Sequence, residues 1–222
     1  MALAFHANEY DGKIRQTIPY YDIMYTQILD LVQTVVPYPK AWLDIGCGSG
    51  KMGLTCVEQY KENCPAFVMC DVSGEMLDIA KRNLTGKMRA EFWNCAAQDI
   101  DEHERFDVVT AIFVNHYLNR EERLKSLKNS LNALKKGGIF ITFENTAPLT
   151  QQGKAVALER WKSYQLAMGK ENTEVQKHIA RYGVSYFPIT VSEQIALLKE
   201  SGFEYAEPFW FSYLQAGFYA VK

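Results

Sequence analysis

The 222-residue chain has no basic excess. Its 24 Lys and Arg are set against 26 Asp and Glu, a formal net charge of -2. Nucleic-acid binders ordinarily carry surplus cations to neutralise phosphates, so this balance argues against a nucleic-acid partner. No cysteine pair has CxxC spacing. Cys47, Cys56, Cys64, Cys70 and Cys95 are odd in number and lack a metal-ligating pattern, which reads as reduced thiols in a cytoplasmic protein. His6, His103 and His178 show no ligand spacing either, so no metal is expected. No run approaches the roughly 20 apolar residues that span a bilayer. The first ten residues, with His6, Asn8 and Glu9, lack the apolar core of a secretion signal. Neither membrane insertion nor export is therefore expected. Internal repeats and low-complexity tracts are absent. What remains is ordinary for a globular protein, 48% hydrophobic and 23% charged, and long enough to bury the core of one domain.

Periodicity orders the chain. Ile23, Ile28, Leu31, Val32 and Val35 recur at near-helical spacing, so 14–36 is expected to be an amphipathic helix entered through Ile18-Pro19 and stopped by Pro37 and Pro39. Short apolar runs at 41–45, 66–70, 89–93, 106–113 and 139–143 read as strands, alternating with helices at 51–60, 74–83 (capped by Ser73) and 120–135. Leu124, Leu127, Leu131 and Leu134 mark the apolar side of the last, with Gly137-Gly138 as its stop and Lys135-Lys136 suited to its dipole. Such alternation predicts an α/β fold, a Rossmann-like doubly wound and mostly parallel sheet. A helical cover is expected at 151–187, a helix at 192–200, and two aromatic-rich runs at 203–213 and 216–221 form an antiparallel hairpin. The whole chain, 1–222, is read as one domain, with a helical segment at 1–40, a cofactor-binding core at 41–145, the cover, and the hairpin at 203–221.

Chemistry concentrates where the first strand ends. Gly46, Gly48 and Gly50 alternate in Asp44-Ile45-Gly46-Cys47-Gly48-Ser49-Gly50, allowing a tight turn and close approach of a ligand to the backbone. The following helix offers free N–H groups to an anion, and Asp44 can accept from an ammonium. The same turn also serves any βα unit. Asp71 closes the second strand, 21 residues after Gly50. In doubly wound folds an acidic residue there pairs with ribose hydroxyls, although it also suits helix entry beside Ser73. Gly48-x-Gly50-x-x-Gly53 matches a dinucleotide fingerprint formally, but it starts two residues late. In the frame that begins at Gly46 the third glycine falls on Lys51. A nucleoside ligand is favoured and a nicotinamide or flavin disfavoured.

These residues resemble motif I of the class I S-adenosylmethionine-dependent methyltransferases. The likeness extends to Asp71, to Phe106-Asp107-Val108-Val109, to Leu134-Lys135-Lys136-Gly137-Gly138 and to Gly202-Phe203 with the last hairpin. It implies S-adenosylmethionine, or S-adenosylhomocysteine as bound product. Gly46, Cys47 and Gly48 would line its methionine part, Asp71 would hold the ribose, and Val72 would lie against the adenine. Ala96 stands where relatives often carry an acidic partner of the adenine amine, leaving that task to Ala97 or Gln98. Ile112 and Phe113 would flank the sulfonium. A narrower resemblance, in Tyr10-Asp11, Arg15 and Ile18-Pro19-Tyr20-Tyr21, is to the carboxy-S-adenosylmethionine synthases, which make a carboxymethyl donor for transfer RNA modification. It implies that Tyr21 approaches the cofactor. That family's polar Asn is replaced by Ile112, and Arg181 is the nearest match to its substrate-binding arginine.

His116 follows the fourth strand at its carboxyl end, where such folds place their sites. With an ordinary pKa near 6.5 it is the candidate base, or a helix-entry residue. Glu144 and Asn145 are read as orienting a polar acceptor or as capping. Trp161, Tyr164, Arg181, Tyr182 and Tyr186 are read as enclosing the acceptor or packing the cover. The expected activity is direct methyl transfer to a small molecule beneath the cover. The alternatives are an enzyme that remodels the cofactor, using Arg15 or Arg181 for a carboxylated partner, and a binding module without catalysis. A homodimer is left open.

Overall fold

The computed structural model describes residues 10–222, with side-chain burial from Gly12 onward. His6 and the rest of 1–9 lie outside that range. The sheet has seven strands in the order β3-β2-β1-β4-β5-β7-β6. They are β1 (Ala41–Ile45), β2 (Ala66–Cys70), β3 (Ala90–Trp93), β4 (Phe106–Ile112), β5 (Leu134–Asn145), β6 (Tyr205–Ser212) and β7 (Gln215–Val221). β1 to β5 pair in parallel. β7 runs antiparallel to both β5 and β6 and lies between them. The expected doubly wound sheet and terminal hairpin are both present, and Ala41, at the start of β1, pairs with Ala66 on one side while Trp42 pairs with Val108 on the other.

Two hydrophobic layers enclose the sheet. Trp42, Phe67, Val108, Ile139 and Ile141 face α2 (Tyr21–Val35), α3 (Lys51–Tyr60) and α4 (Gly74–Leu84), with Trp42 stacked on Phe67 at 5.3 Å. Leu43, Ile45, Val68, Val109 and Phe140 face α5 (Arg120–Ala133) and α8 (Val191–Glu200). Each fully buried aliphatic side chain contributes about 1.5–3 kcal/mol, so the alternation of faces along β1 and β4 fixes their register. Ser73 caps α4, its hydroxyl accepting from the Met76 N–H. No helix among the described residues is long and apolar enough to cross a membrane.

The structure corrects three boundaries. The helix expected at 14–36 is two, α1 (Tyr10–Thr17) and α2, broken at Pro19 and at Tyr20, which adopts φ 58°. A proline in a helix interior removes an N–H donor and clashes with the preceding turn. α5 ends at Ala133, two residues early. Leu134 already pairs with Phe106 on β4, and the Lys135 ammonium donates to Asp107 at 2.8 Å rather than complementing a helix end. Gly137-Gly138 is a bend inside β5. A Cβ at Gly138 would lie 3.0 Å from the Asp107 carbonyl oxygen. The buried stripe of α5 is also rotated from the leucine side, to Arg123, Ser126, Leu127, Ser130 and Ala133, because this helix packs its polar residues behind the site described next.

The cover comprises α6 (Gln151–Ala167), α7 (Asn172–Ile179) and the turns that follow. α6 faces α1 rather than the sheet. The Trp161 indole donates to the Thr17 carbonyl at 2.7 Å and the Tyr164 hydroxyl to that of Arg15 at 2.8 Å. Both aromatics therefore fasten the cover to α1.

Candidate active site

The carboxyl ends of β1, β2 and β4 open onto a cavity of about 660 Å³. A second recess of about 20 Å³ adjoins it behind the glycine turn. Gly46 and Gly48 line both, as do Ile112 and Phe113. Gly46 has φ 65°, and a Cβ there would collide with the Val114 side chain. Gly48 has φ 54°, and its Cβ position meets only the Met76 Cε, at 3.4 Å, so its open side faces the cavity. Gly50 lines neither space and packs on Ala80 and Leu84, joining α3 to α4. Phe113 is a non-glycine residue at φ 59°, held there by a 2.7 Å bond from its N–H to the Phe143 carbonyl. Sequence gives no signal of such local strain, which concentrates at functional sites.

Two carboxylates flank the turn. Asp71 accepts from the N–H groups of Gly48 at 3.0 Å and Ser73 at 2.9 Å, tying the loop to the end of β2. Burial pushes its carboxyl up, opposed by those N–H groups. Asp44, 3% exposed, lines the small recess with Tyr21 and Cys47. Burial raises the Asp44 carboxyl to about 7, the Thr110 hydroxyl opposing and the Asp71 charge adding to the rise. The Tyr21 hydroxyl lies 3.0 Å from that of Tyr25. Val72, Ala97 and Gln98 line the large cavity opposite, where Gln98 Oε1 is buried with no hydrogen-bond partner. An adenosine with an amino-acid tail fits these features: an open glycine face, an orphaned amide oxygen, and carboxylates at either end. Cys70 and Cys95 also face the cavity, their sulfurs 3.1 Å apart.

At the other end lies His116, 1% exposed. Its Nδ1 is 2.8 Å from Glu144 Oε2, and the same carboxylate accepts the backbone N–H groups of His116 at 3.0 Å and Asn115 at 3.3 Å. A carboxylate can only accept, so Nδ1 carries the proton and Nε2, 3.5 Å from the Asn145 side-chain amide, is the accepting nitrogen of the ring. The Asn145 N–H, 3.4 Å from Nδ1, is too distant to compete with that contact. Burial alone would push the Glu144 carboxyl up, but the His116 ring, the Thr142 hydroxyl and Arg123 hold it below the usual carboxylate range. Glu144 is thus committed to the histidine, while Asn145 lines the cavity. Glu144 and His116 come from different strand ends, and nothing in the sequence pairs them.

Aromatic rings surround this dyad. Tyr117 lies 4.5 Å, Tyr186 5.6 Å and Phe113 5.9 Å from the His116 ring. Arg181 lines the cavity, and its charge opposes the rise that burial imposes on the Tyr117 hydroxyl. Arg15 does not reach the cavity. It makes a two-pronged ion pair with Asp22, at 2.6 and 2.9 Å, on the outside of α1. Tyr182 packs 5.9 Å from Tyr186. His178 packs half-buried against Trp161 and is held neutral, its pKa pushed down to about 3 by desolvation and by Lys170 and Arg181. Among the described residues no three His, Cys, Asp or Glu side chains gather as a metal site would require. Ile14, Thr17 and Ile18 of the α1 segment also line the cavity, a contribution the sequence did not reveal.

Comparison with known proteins points the same way. A methyltransferase domain family matches residues 43–138, the span from β1 to the bend in β5. Residues 43–138 carry a methyltransferase domain. A carboxy-S-adenosyl-L-methionine synthase of Campylobacter lari is 26% identical over 205 residues, covering 90% of this chain and 85% of that protein. Two solved methyltransferases share the fold. Magnesium protoporphyrin IX methyltransferase of Synechocystis, with bound S-adenosylhomocysteine, superposes with a TM-score of 0.64 at 15% identity, covering 91% of this chain and 83% of that one. A S-adenosylmethionine-dependent methyltransferase of Leishmania major gives 0.64 at 16% identity, covering 90% and 72%. In the methyltransferase domain the glycine turn, Asp71 and the end of β4 occupy one rim of the sheet, and the His116–Glu144 pair adjoins it.

Proposed function

We propose that this methyltransferase acts on a small, polar acceptor held between His116 and the α7 side of the cover. When bound, S-adenosylmethionine supplies a methyl group already activated on sulfur, so positioning of the acceptor accounts for much of the rate. Asp44 receives the ammonium of its amino-acid tail, Asp71 the ribose hydroxyls, and Gln98 the adenine amine beside Val72 and Ala97. Gly46, Cys47 and Gly48 admit the tail, Gly50 shapes the turn, and Tyr21, Ile112 and Phe113 border the sulfonium. His116 Nε2 takes the acceptor proton, with Glu144 holding the ring and stabilising the imidazolium. The observation that carries this reading is the 2.8 Å contact of His116 with Glu144, the histidine lining the same cavity as Asp71. A cytoplasmic setting accords with five free cysteines among the described residues. The test is transfer of isotopically labelled methyl from S-adenosylmethionine to a panel of small phenols, amines and carboxylic acids. A labelled product that His116→Ala abolishes while cofactor affinity persists supports it. Label transfer that His116→Ala leaves unchanged removes the histidine from the chemistry.

One observation favours a second reading. Arg181 lines the cavity beside Tyr117 and supplies the cation that a carboxylated partner requires. Together with the curated carboxy-S-adenosyl-L-methionine synthases that the chain resembles at 22–26% identity, this supports remodelling of the cofactor itself. A carboxylated cofactor recovered from the purified protein would put this reading first.

A further inference from the structure

Behind the small recess lies a buried polar relay that the chemistry above does not use. Asp44 and Thr110 are direct partners in the parallel pairing of β1 and β4, and Trp42 precedes Asp44 by two residues. All three side chains therefore share one face of the sheet. Trp42 and Thr110 are completely buried. The Trp42 indole Nε1–H donates to Thr110 Oγ1 at 2.9 Å, and Thr110 Oγ1 lies 2.7 Å from Asp44 Oδ1. An indole N–H can only donate. The threonine oxygen must accept from it, which commits the one hydroxyl proton to the carboxylate. The alternative acceptor, the Leu43 carbonyl, is 3.5 Å away. Direction in this relay is fixed: indole to hydroxyl to carboxylate.

We propose that Thr110 is a positioning residue for the cofactor, anchoring Asp44 Oδ1 so that Oδ2 is presented to the ammonium of the amino-acid tail. This rests on the assignment of Asp44 as the ammonium partner. Asp44 Oδ2 makes no hydrogen bond among the described residues, and the side chain lines the recess beside the glycine turn. Threonine suits the task because its branched Cβ restricts χ1. The oriented hydroxyl dipole also favours the ionised carboxylate, and successive hydrogen bonds polarise one another in a dry interior. The ionisable groups around this carboxyl are Asp71, Cys47, Cys56, Lys51, Tyr21 and Tyr25. None of the three substitutions below alters them.

The experiment is calorimetric titration of S-adenosylhomocysteine, which keeps the ammonium, into the full chain between pH 6 and 9. Thr110→Val preserves shape but neither accepts nor donates. It should weaken binding about tenfold or more at pH 7, and the ratio to wild type should shrink toward pH 9 as Asp44 ionises without its donor. Thr110→Ser restores the hydroxyl and should bind within about threefold of wild type. Trp42→Phe keeps the threonine but removes its donor, and should produce a smaller loss with the same pH trend. It decides the matter if Thr110→Val does not fold. A folded Thr110→Val, or failing that Trp42→Phe, with wild-type affinity across the pH range overturns the proposal while leaving the cofactor site intact. Failure of the wild-type chain to bind S-adenosylhomocysteine at all would instead overturn the site on which it rests.

Discussion

Replacing Asp71 by alanine removes the carboxylate that spans the glycine turn and the entry to α4. Its Oδ2 accepts from Gly48 at 3.0 Å and its Oδ1 from Ser73 at 2.9 Å, which leaves lone pairs on both oxygens for ribose hydroxyls. Hydrogen bonds to a charged group contribute about 1.5–3 kcal/mol. Losing the equivalent of one such bond to the ribose should therefore weaken S-adenosylhomocysteine binding roughly 10- to 150-fold. The freed Gly48 N–H borders the cavity and can rehydrate, so the folded state should lose only about 1 kcal/mol per backbone bond. Calorimetry at neutral pH measures the first quantity and thermal melting the second. Because burial raises the Asp71 carboxyl, wild-type affinity should also fall as acid protonates it, and the alanine variant should lack that component. A variant that folds and binds as tightly as wild type would remove Asp71 from the ligand site and refute the reasoning.

Other consequences follow from the same geometry. Gly48→Val, at φ 54° on the open face of the turn, should abolish cofactor binding in a protein that remains folded; retained binding, seen by calorimetry, would displace the ligand from this loop. Glu144→Gln should lower turnover about tenfold or more and leave cofactor affinity unchanged, because the imidazolium loses its counter-charge; unaltered steady-state rates would make Glu144 purely structural. Asp44 has a folded-state pKa of about 7 against an ordinary 3.8, so its contribution to stability is present at low pH and is lost as pH rises through 7. Each unit of that window corresponds to about 1.4 kcal/mol. Ligand-free melting temperatures should thus decline more between pH 5 and 8 in wild type than in Asp44→Asn, and parallel curves would contradict the assignment.

Local chemistry made much of this protein legible. The apolar run at 41–45, the glycine turn and Asp71 are neighbours in sequence and in space, and backbone sterics at Gly46 and Gly48 leave few alternatives. The Ser73 cap was readable for the same reason. Failures arose where tertiary contacts outweighed local preference. Lys135-Lys136-Gly137-Gly138 has the composition of a helix end, yet pairing of Leu134 with Phe106 draws it into β5. Leucines marked one side of α5, while Arg123 and Ser126 turned inward to hold the Asn115 carbonyl and side chain at 2.9 Å each. The His116–Glu144 pair is 28 residues apart and depends on where β4 and β5 end side by side. Arg15 and Arg181 were both candidate cations in sequence. Asp22, in the first turn of α2, engages the first, and the second lies on the cavity wall.

The central claim is that the glycine turn, Asp44 and Asp71 form a single site for S-adenosylmethionine. Native mass spectrometry of the full chain mixed separately with S-adenosylmethionine, S-adenosylhomocysteine and a nicotinamide dinucleotide tests it most directly. One S-adenosyl ligand retained per chain, lost in Asp71→Ala, with no nicotinamide adduct, is the predicted result. Retention of the dinucleotide, or no S-adenosyl adduct at millimolar ligand, would contradict it.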